Sequence, residues 1–325
     1  MVKRALAGTV ALVLLAGCAT STAPGAVGVS RTQLLMMPSA QIEQQAALGY
    51  RQISSAAMKA GTLNQDSTVT ERVRVIAKRL IKEVTIYRPE AKSWQWEINV
   101  FTSPKINATC MPGGKIAIFT GLIDKLQATD NELAAVIGHE IAHALREHTR
   151  EKVSNAFMAD SMVKGIAQSG SRNAGLAGGL AGIGATLFFQ LPFSREMESE
   201  ADIMGLELMA RAGYDPEAAL TFWQKMQTVE KDTGKTDFFH THPSSDNRIS
   251  SIKAAMPKVL PLYTAKLYSN GKSDLTTGIP ANQPTASQAA SFQSPTFATP
   301  AAPTPRAFRP ASCDLPNVKQ GVGAC

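Results

Sequence analysis

Ala135–Ala144 reads AVIGHEIAHA, and its centre is the pentad HEIAH, His139 to His143. On a helix, residues four apart lie one above the other, so His139 and His143 share a face. Two imidazoles on one face make half of a zinc site. Glu140, one step from the first histidine, can reach a water held at such a metal. Thr129 and Glu132 have capping-box spacing and place a helix start ahead of the pentad. Ala134, Val136, Ile137, Ile141, Ala142 and Leu145 surround the two histidines with apolar side chains. The helix is therefore expected to be buried over most of its circumference, as a rigid ligand platform should be.

Three ligands from the protein and one open position define a catalytic zinc site, and the third ligand should be His, Asp or Glu. Candidates lie in SREMESEAD, Ser194 to Asp202. Glu198 and Asp202 are four apart and share a helix face, with Glu196 and Glu200 as competitors for the metal. If Glu198 reaches the ion, Asp202 is placed to accept the second ring N–H of His139. His148 lies five past His143 and should point elsewhere on the helix. His240 and His242 fall in the later stretch HTHPSSDNRI.

The first eighteen residues have targeting character. Lys3 and Arg4 precede a short apolar run, Ala5 to Ala16, too short to span a bilayer comfortably. The run ends in Leu15-Ala16-Gly17-Cys18, which resembles a bacterial lipobox with Cys18 as the lipidated residue. Residues 1–18 are thus expected to be a lipoprotein signal peptide and 19–40 a tether. Residues 41–270 should form the folded domain, and 271–325 a disordered tail rich in Pro, Ser, Thr and Ala with two cysteines. Cys313 and Cys325 can pair with each other, or one of them with Cys110; Cys110 can equally be a buried free thiol. The net charge of +7 is spread without a long basic run, which argues against nucleic acid as a partner.

Helices are expected over Gln41–Ala60, from a Thr68/Glu71 capping box, over Leu122–Gln127, over Arg195–Arg211, from Asp215-Pro216 to Val229, and up to Ala255. Trp94–Phe101 alternates as a half-buried strand, and Lys115–Thr120 reads as another. Gly175–Leu191, with small residues four apart, suggests a helical hairpin. The fold class expected is α+β, mostly α, with a small sheet and an active-site helix.

HEIAH followed by FSREMESEAD and HTHPSSDNRI, with NATCMPGGKIAIFTGL before them, resembles the gluzincin metallopeptidases of the HtpX, BepA and LoiP type. The resemblance runs from about Gln41 to Ala255. The lipobox and the missing tetratricopeptide pattern bring it nearest to the periplasmic, LoiP-like members. It implies a zincin-like metallopeptidase with one Zn2+ per chain on His139, His143 and Glu198, and Glu140 as general base. It brings His242 and Arg248 to the rim of the site, His242 as an oxyanion donor or as a resting zinc ligand. The strand Lys115–Phe119 is expected to be the edge that takes an extended peptide, shaped by Asn107, Gly113 and Gly114. Substrates would be unfolded or misfolded envelope proteins, with the membrane reached through the lipid on Cys18, on the periplasmic side of the outer membrane. The alternatives are an envelope chaperone that binds unfolded strands without cutting, and a structural lipoprotein with an accidental pentad.

Overall fold

The side chains around the HEIAH pentad leave no polar face for solvent, and the chain builds its core around that helix. The computed structural model describes residues 18–167, 191–234, 236–243, 247–269 and 271. All of them fall in one compact unit spanning Met1–Asp274. The expected signal peptide up to Gly17, most of the Gly175–Leu191 hairpin and the tail beyond Gly271 lie outside the described residues, as do Cys313 and Cys325. Among the described residues, no helix is long and apolar enough to cross a membrane.

Two short strands come first, β1 (Cys18–Ala19) and β2 (Gln33–Leu34), antiparallel to each other. Helix α1 (Ser39–Lys59) and helix α2 (Ser67–Ile81) follow. Strands β3 (Glu97–Phe101), β4 (Ala108–Met111) and β5 (Lys115–Phe119) form a sheet, and α3 (Thr120–Leu126) leads to α4 (Asp130–Leu145). Then come α5 (His148–Ala167), α6 (Arg195–Arg211), α7 (Ala218–Thr233), α8 (Asp237–Thr241) and α9 (Asn247–Ser269). The fold is thus mostly helical with a small three-stranded sheet, as expected of a zincin-like chain.

Helix α4 starts where the sequence places it. The Thr129 hydroxyl accepts from the Glu132 N–H at 3.3 Å, and the Glu132 carboxylate accepts from the Thr129 N–H at 2.9 Å. Every residue from Glu132 to Leu145 is buried. Each fully buried Leu, Ile or Val there contributes about 1.5–3 kcal/mol. Helices α2, α6 and α7 and strand β4 supply the walls. Helix α6 crosses α4 where two glycines meet: a Cβ on Gly138 would lie 3.0 Å from the Gly205 carbonyl oxygen. That close approach brings the ligand-bearing faces of the two helices together.

Several local expectations change. Helix α2 is capped by Asp66 rather than Thr68; its carboxylate accepts from the N–H groups of Thr68 at 2.8 Å and Val69 at 3.0 Å. Pro89 opens a 3-10 turn through Ser93, so β3 begins only at Glu97, and Trp94 and Trp96 pack together ahead of it at 5.4 Å between ring centroids. Asp215 caps a turn, accepting from the Glu217 N–H at 3.0 Å, and α7 proper starts at Ala218. Helix α9 runs on past Ala255 through Pro257 and Pro261.

The tether expected over 19–40 is corrected. Thr22, Val27, Val29, Gln33, Leu35 and Met37 are buried, and Val27 and Val29 join the main core. The Val27 N–H donates to Glu207 at 3.1 Å, and the Met36 and Met37 N–H groups donate to the Ser154 hydroxyl at 3.0 and 3.3 Å. A Gly/Pro-containing segment reads as a linker by composition, yet its few apolar side chains find pockets on the fold. The helix reading from Gln41 also starts slightly late, since α1 begins at Ser39.

The substrate edge is corrected too. Strand order is β3-β5-β4, with β3 parallel and β4 antiparallel to β5. Lys115–Phe119 is therefore the central strand, paired on both sides. Ala108–Met111, β4, is an outer strand. Gly113 and Gly114 form the tight turn between β4 and β5 with φ of +78° and +83°, conformations that suit glycine. A Cβ on Gly114 would strike the Trp96 ring at 2.7 Å. These glycines shape the hairpin and do not face the histidines.

Candidate metal centre

On α4, His139 and His143 project together, their Nε2 atoms 3.0 Å apart. Helix α6, opened by Ser194 as N-cap, brings Glu198 opposite them. Glu198 Oε1 lies 3.3 Å from His143 Nε2, and Oε2 lies 3.5 Å from His139 Nε2. The end of α8 supplies His242, whose Nδ1 is 3.0 Å from Glu198 Oε1 and 3.3 Å from His139 Nε2. Among the described residues, His139, His143, Glu198 and His242 form one group whose ligand atoms all lie within 4.8 Å of one another. All four are buried.

Behind the histidines the protons are placed by hydrogen-bonding logic. His139 Nδ1–H donates to Asp202 Oδ1 at 2.9 Å, which leaves its Nε2 lone pair toward the group. Asp202 is gripped by Arg248 at 2.7 Å through both Nε and Nη2. That fork holds the buried Asp202 carboxyl below its ordinary range although burial alone would raise it. The Arg248 guanidinium also sits 3.6 Å above the Trp223 ring and 2.9 Å from Glu198 Oε2. His143 Nδ1 meets His148 Nδ1 at 2.9 Å, so its Nε2 also turns a lone pair inward.

These facing lone pairs test whether a metal fits. Two neutral imidazole Nε2 atoms at 3.0 Å, with both ring protons engaged behind, repel each other unless a cation lies between them. Glu140 Oε1 is buried without a hydrogen-bond partner, close to the buried Glu198 carboxylate, whose Oε2 is ion-paired with Arg248. Two carboxylates buried beside each other are costly, and a divalent cation between them and the histidines lowers that cost. Two imidazoles, one carboxylate and a further imidazole are the donor set zinc prefers. Burial pushes His143 well below the ordinary histidine range, which keeps it neutral as a ligand must be.

Glu140 stands beside this group, its Oε1 3.4 Å from His242 Nε2. Burial raises its carboxyl, opposed by the nearby histidines. A carboxylate so placed is a better base than one in water. The cleft in front is lined by Asn107, Thr109, Cys110, Phe193 and His242 together with the base. Strand β4 therefore forms one wall of the site. Phe193 stacks on the His143 ring at 4.0 Å between centroids, and the Lys152 ammonium lies 4.1 Å from the centroid of the Phe193 ring. Burial lowers that lysine to about 8.

The sequence-derived positions divide cleanly. His139, Glu140, His143, Glu198, Asp202, His242 and Arg248 come together, and Gly113 and Gly114 do not. Glu196 is exposed, and Glu200 faces His148 at 3.0 Å instead of the metal group. Cys110 is a buried free thiol, pushed well above its ordinary range by burial and by the nearby Glu140. Cys18 is described only through its backbone, which pairs with Leu34. His148 was missed as a neighbour of the site. Helix α4 ends at Leu145, and Glu147 takes φ of +52°, so α5 starts in a new direction and returns His148 to His143. Straight-helix spacing points it away; the charged run Arg146-Glu147-His148 directly after Leu145 is the available signal.

Known proteins match this chain over the same region. Peptidase family M48 matches residues 67–256. The chain is 39% identical over 165 residues to mitochondrial metalloendopeptidase OMA1 of Schizosaccharomyces pombe, covering 50% of this chain and 48% of that protein. It is 34% identical over 183 residues to metalloendopeptidase OMA1, mitochondrial, of Homo sapiens, covering 53% and 34%. Against metalloprotease LoiP of Escherichia coli (strain K12) the identity is 25% over 245 residues, covering 75% and 92%. The chain spans about half or less of the length of the OMA1 relatives it matches. The expected nearness to LoiP-like members gives way to higher identity with OMA1. The expected address on the periplasmic side of a bacterial outer membrane is likewise overturned, since the relatives matched at 34–39% identity are mitochondrial proteases.

Proposed function

The chain belongs to peptidase family M48, and on that premise we propose that it is a zinc-dependent endopeptidase that cuts unfolded or misfolded polypeptides. The observation that carries the reading is the convergence of two histidine lone pairs and the Glu198 carboxylate on one buried point, with Glu140 alongside. His139, His143 and Glu198 would hold the ion, and His242 would be a fourth donor at rest. Zinc there supplies Lewis-acid polarisation of the scissile carbonyl and an acidified water.

The chain's own residues do the rest. Glu140 accepts the proton of the attacking water and returns it to the leaving amine. Its raised basicity comes from burial. Asp202, gripped by Arg248, keeps His139 in the tautomer that offers Nε2. His242 Nδ1 bonds to Glu198 in this arrangement, so it must swing aside to admit substrate. Once displaced, its ring can donate to the oxygen that gains charge during attack. An extended peptide can add to the outer strand β4, where main-chain pairing is weakly selective for sequence and suits unfolded chains.

The test is zinc stoichiometry of the full chain together with cleavage of an unfolded casein-type substrate by wild type and Glu140→Gln. One zinc per chain in both proteins, with cleavage only in wild type, is expected. Equal hydrolysis by the two overturns the mechanism. Binding of the unfolded chain without cleavage, after zinc is reloaded, makes the protein a chaperone instead.

A further inference from the structure

We propose that Arg31 is a positioning residue for the metal ligand His143, acting through Glu200 and His148. The inference rests on the zinc reading above. Its parts lie behind the site, and Arg31 stands ahead of the region matched by the family, residues 67–256.

The connection is a run of hydrogen bonds with one consistent assignment of protons. Glu200 Oε2 accepts from His148 Nε2–H at 3.0 Å. With its proton on Nε2, His148 presents a lone pair at Nδ1. That lone pair accepts His143 Nδ1–H at 2.9 Å. His143 is left with its Nε2 lone pair directed to the metal group. The carboxylate thus sets the tautomer of one ring, and that ring sets the tautomer and rotation of the ligand. His139 is served by the same logic in a shorter form, through Asp202 and Arg248. Partners behind a ligating histidine orient it and raise its basicity.

Glu200 can do this only if both its oxygens are pinned. Two arginines do so. Arg31 donates Nε to Oε1 at 2.9 Å and Nη2 to Oε2 at 3.1 Å, a bidentate fork. Arg146, fully buried, donates Nε to Oε2 at 3.2 Å. Arg31 is in turn fixed by Glu151, with Nη2 to Oε2 at 2.9 Å, and its carbonyl accepts from the Arg146 guanidinium. Glu151 also accepts from Gln33 at 2.8 Å, and the Gln33 amide donates to the Arg146 carbonyl at 2.7 Å. The segment carrying Arg31 and Gln33 is therefore bonded to both ends of the turn between α4 and α5. Arg31 is the more exposed member, its side chain at 33% against 5% for Glu151 and 11% for Glu200. A surface segment thereby reaches a buried ligand through three side chains.

The experiment measures zinc affinity of the full chain by competition with a chromophoric chelator, and the visible spectrum after cobalt substitution. His148→Ala and Glu200→Gln should weaken zinc by about 10–100-fold. Arg31→Met should weaken it several-fold, since Arg146 still holds Glu200. Each should alter the cobalt spectrum. The double variant Arg31→Met/Glu200→Gln should bind zinc no more weakly than Glu200→Gln alone, because both act through one route. Arg31→Lys should restore less than half of the loss, lacking the fork. If His148→Ala does not fold, the Arg31 and Glu200 cycle decides alone. Affinities within twofold of wild type, or additive losses in the double variant, overturn the proposal. A wild type that binds no zinc overturns the zinc reading itself, and the relay with it.

Discussion

Alanine at Gly205 puts one methyl group where two helices touch. The added Cβ would lie 2.6 Å from the His139 backbone nitrogen and 2.8 Å from the Gly138 carbonyl carbon. Ordinary contact begins near 3.4 Å, so α4 and α6 must separate by about 0.8 Å at that point. Both atoms are backbone and cannot rotate away. Overpacking of this kind costs about 1–3 kcal/mol. Alanine recovers about 1 kcal/mol of it through its helix preference over glycine. The net loss of stability is therefore modest, about 0–2 kcal/mol. The site should suffer more. His139 rides on α4 and Glu198 on α6, and metal–ligand distances tolerate only about ±0.2 Å. A misplacement near 1 Å can cost about 100-fold in rate. Gly205→Ala should thus melt within a few degrees of wild type yet bind zinc at least tenfold more weakly and cleave unfolded casein about 10–100-fold more slowly. Gly138→Ala, whose Cβ meets the Gly205 carbonyl at 3.0 Å, should show the same pattern in weaker form. The reasoning fails if Gly205→Ala retains rate and zinc affinity within twofold, or if it loses both only in proportion to unfolding.

Glu140→Gln should keep one zinc per chain and lose about 100-fold or more of cleavage, as measured by single-turnover assay. Arg248→Leu strips the buried Asp202 of its cation beside Glu198, leaving it the His139 N–H, and should cost about 3–5 kcal/mol in a denaturant titration; Arg248→Lys should recover little, because one ammonium cannot replace the fork. His242→Ala removes the fourth donor and should release zinc several-fold faster to a chelator, while stoichiometry stays at one. The arginines and His148 lower the Glu200 carboxyl to about 2 although burial opposes them. Its folded value lies below its unfolded value, so its contribution is complete above about pH 4.5 and fades as pH falls toward 2. In metal-stripped protein, Glu200→Gln should flatten that part of the stability profile, and an unchanged slope would contradict the pairing.

The active-site helix was legible because everything that makes it is local. A capping box at Thr129 and Glu132, an apolar surround, and two histidines at helical spacing need no distant partner to be recognised. Helix α6 was legible for the same reason, its span agreeing at both ends. Its ligand was less so: Glu196, Glu198 and Glu200 share one short stretch, and the resemblance pointed to Glu198. The meeting of Gly138 with Gly205 brings Glu198 to the histidines, and that is a distance between helices far apart in sequence. Edge and centre of the sheet were misjudged because pairing order is set by chain crossover; β3 runs parallel to β5 and takes the side that sequence proximity left open. Composition reads 19–40 as a tether because it counts apolar residues and does not see the pockets that bury Val27, Val29, Leu35 and Met37. His148 depended on a single positive φ at Glu147, where helix periodicity stops applying. By itself, then, the sequence determined which residue types could hold and activate a zinc ion, since that chemistry is written in neighbours along a helix. The packing of the fold sets how the two ligand helices meet, which strands lie at the edges of the sheet, and what stands behind each ligand, since these contacts depend on where separate elements cross: His139 meets Asp202 and Arg31 meets Glu200 across long stretches of chain, and His143 meets His148 only because the chain turns at Glu147.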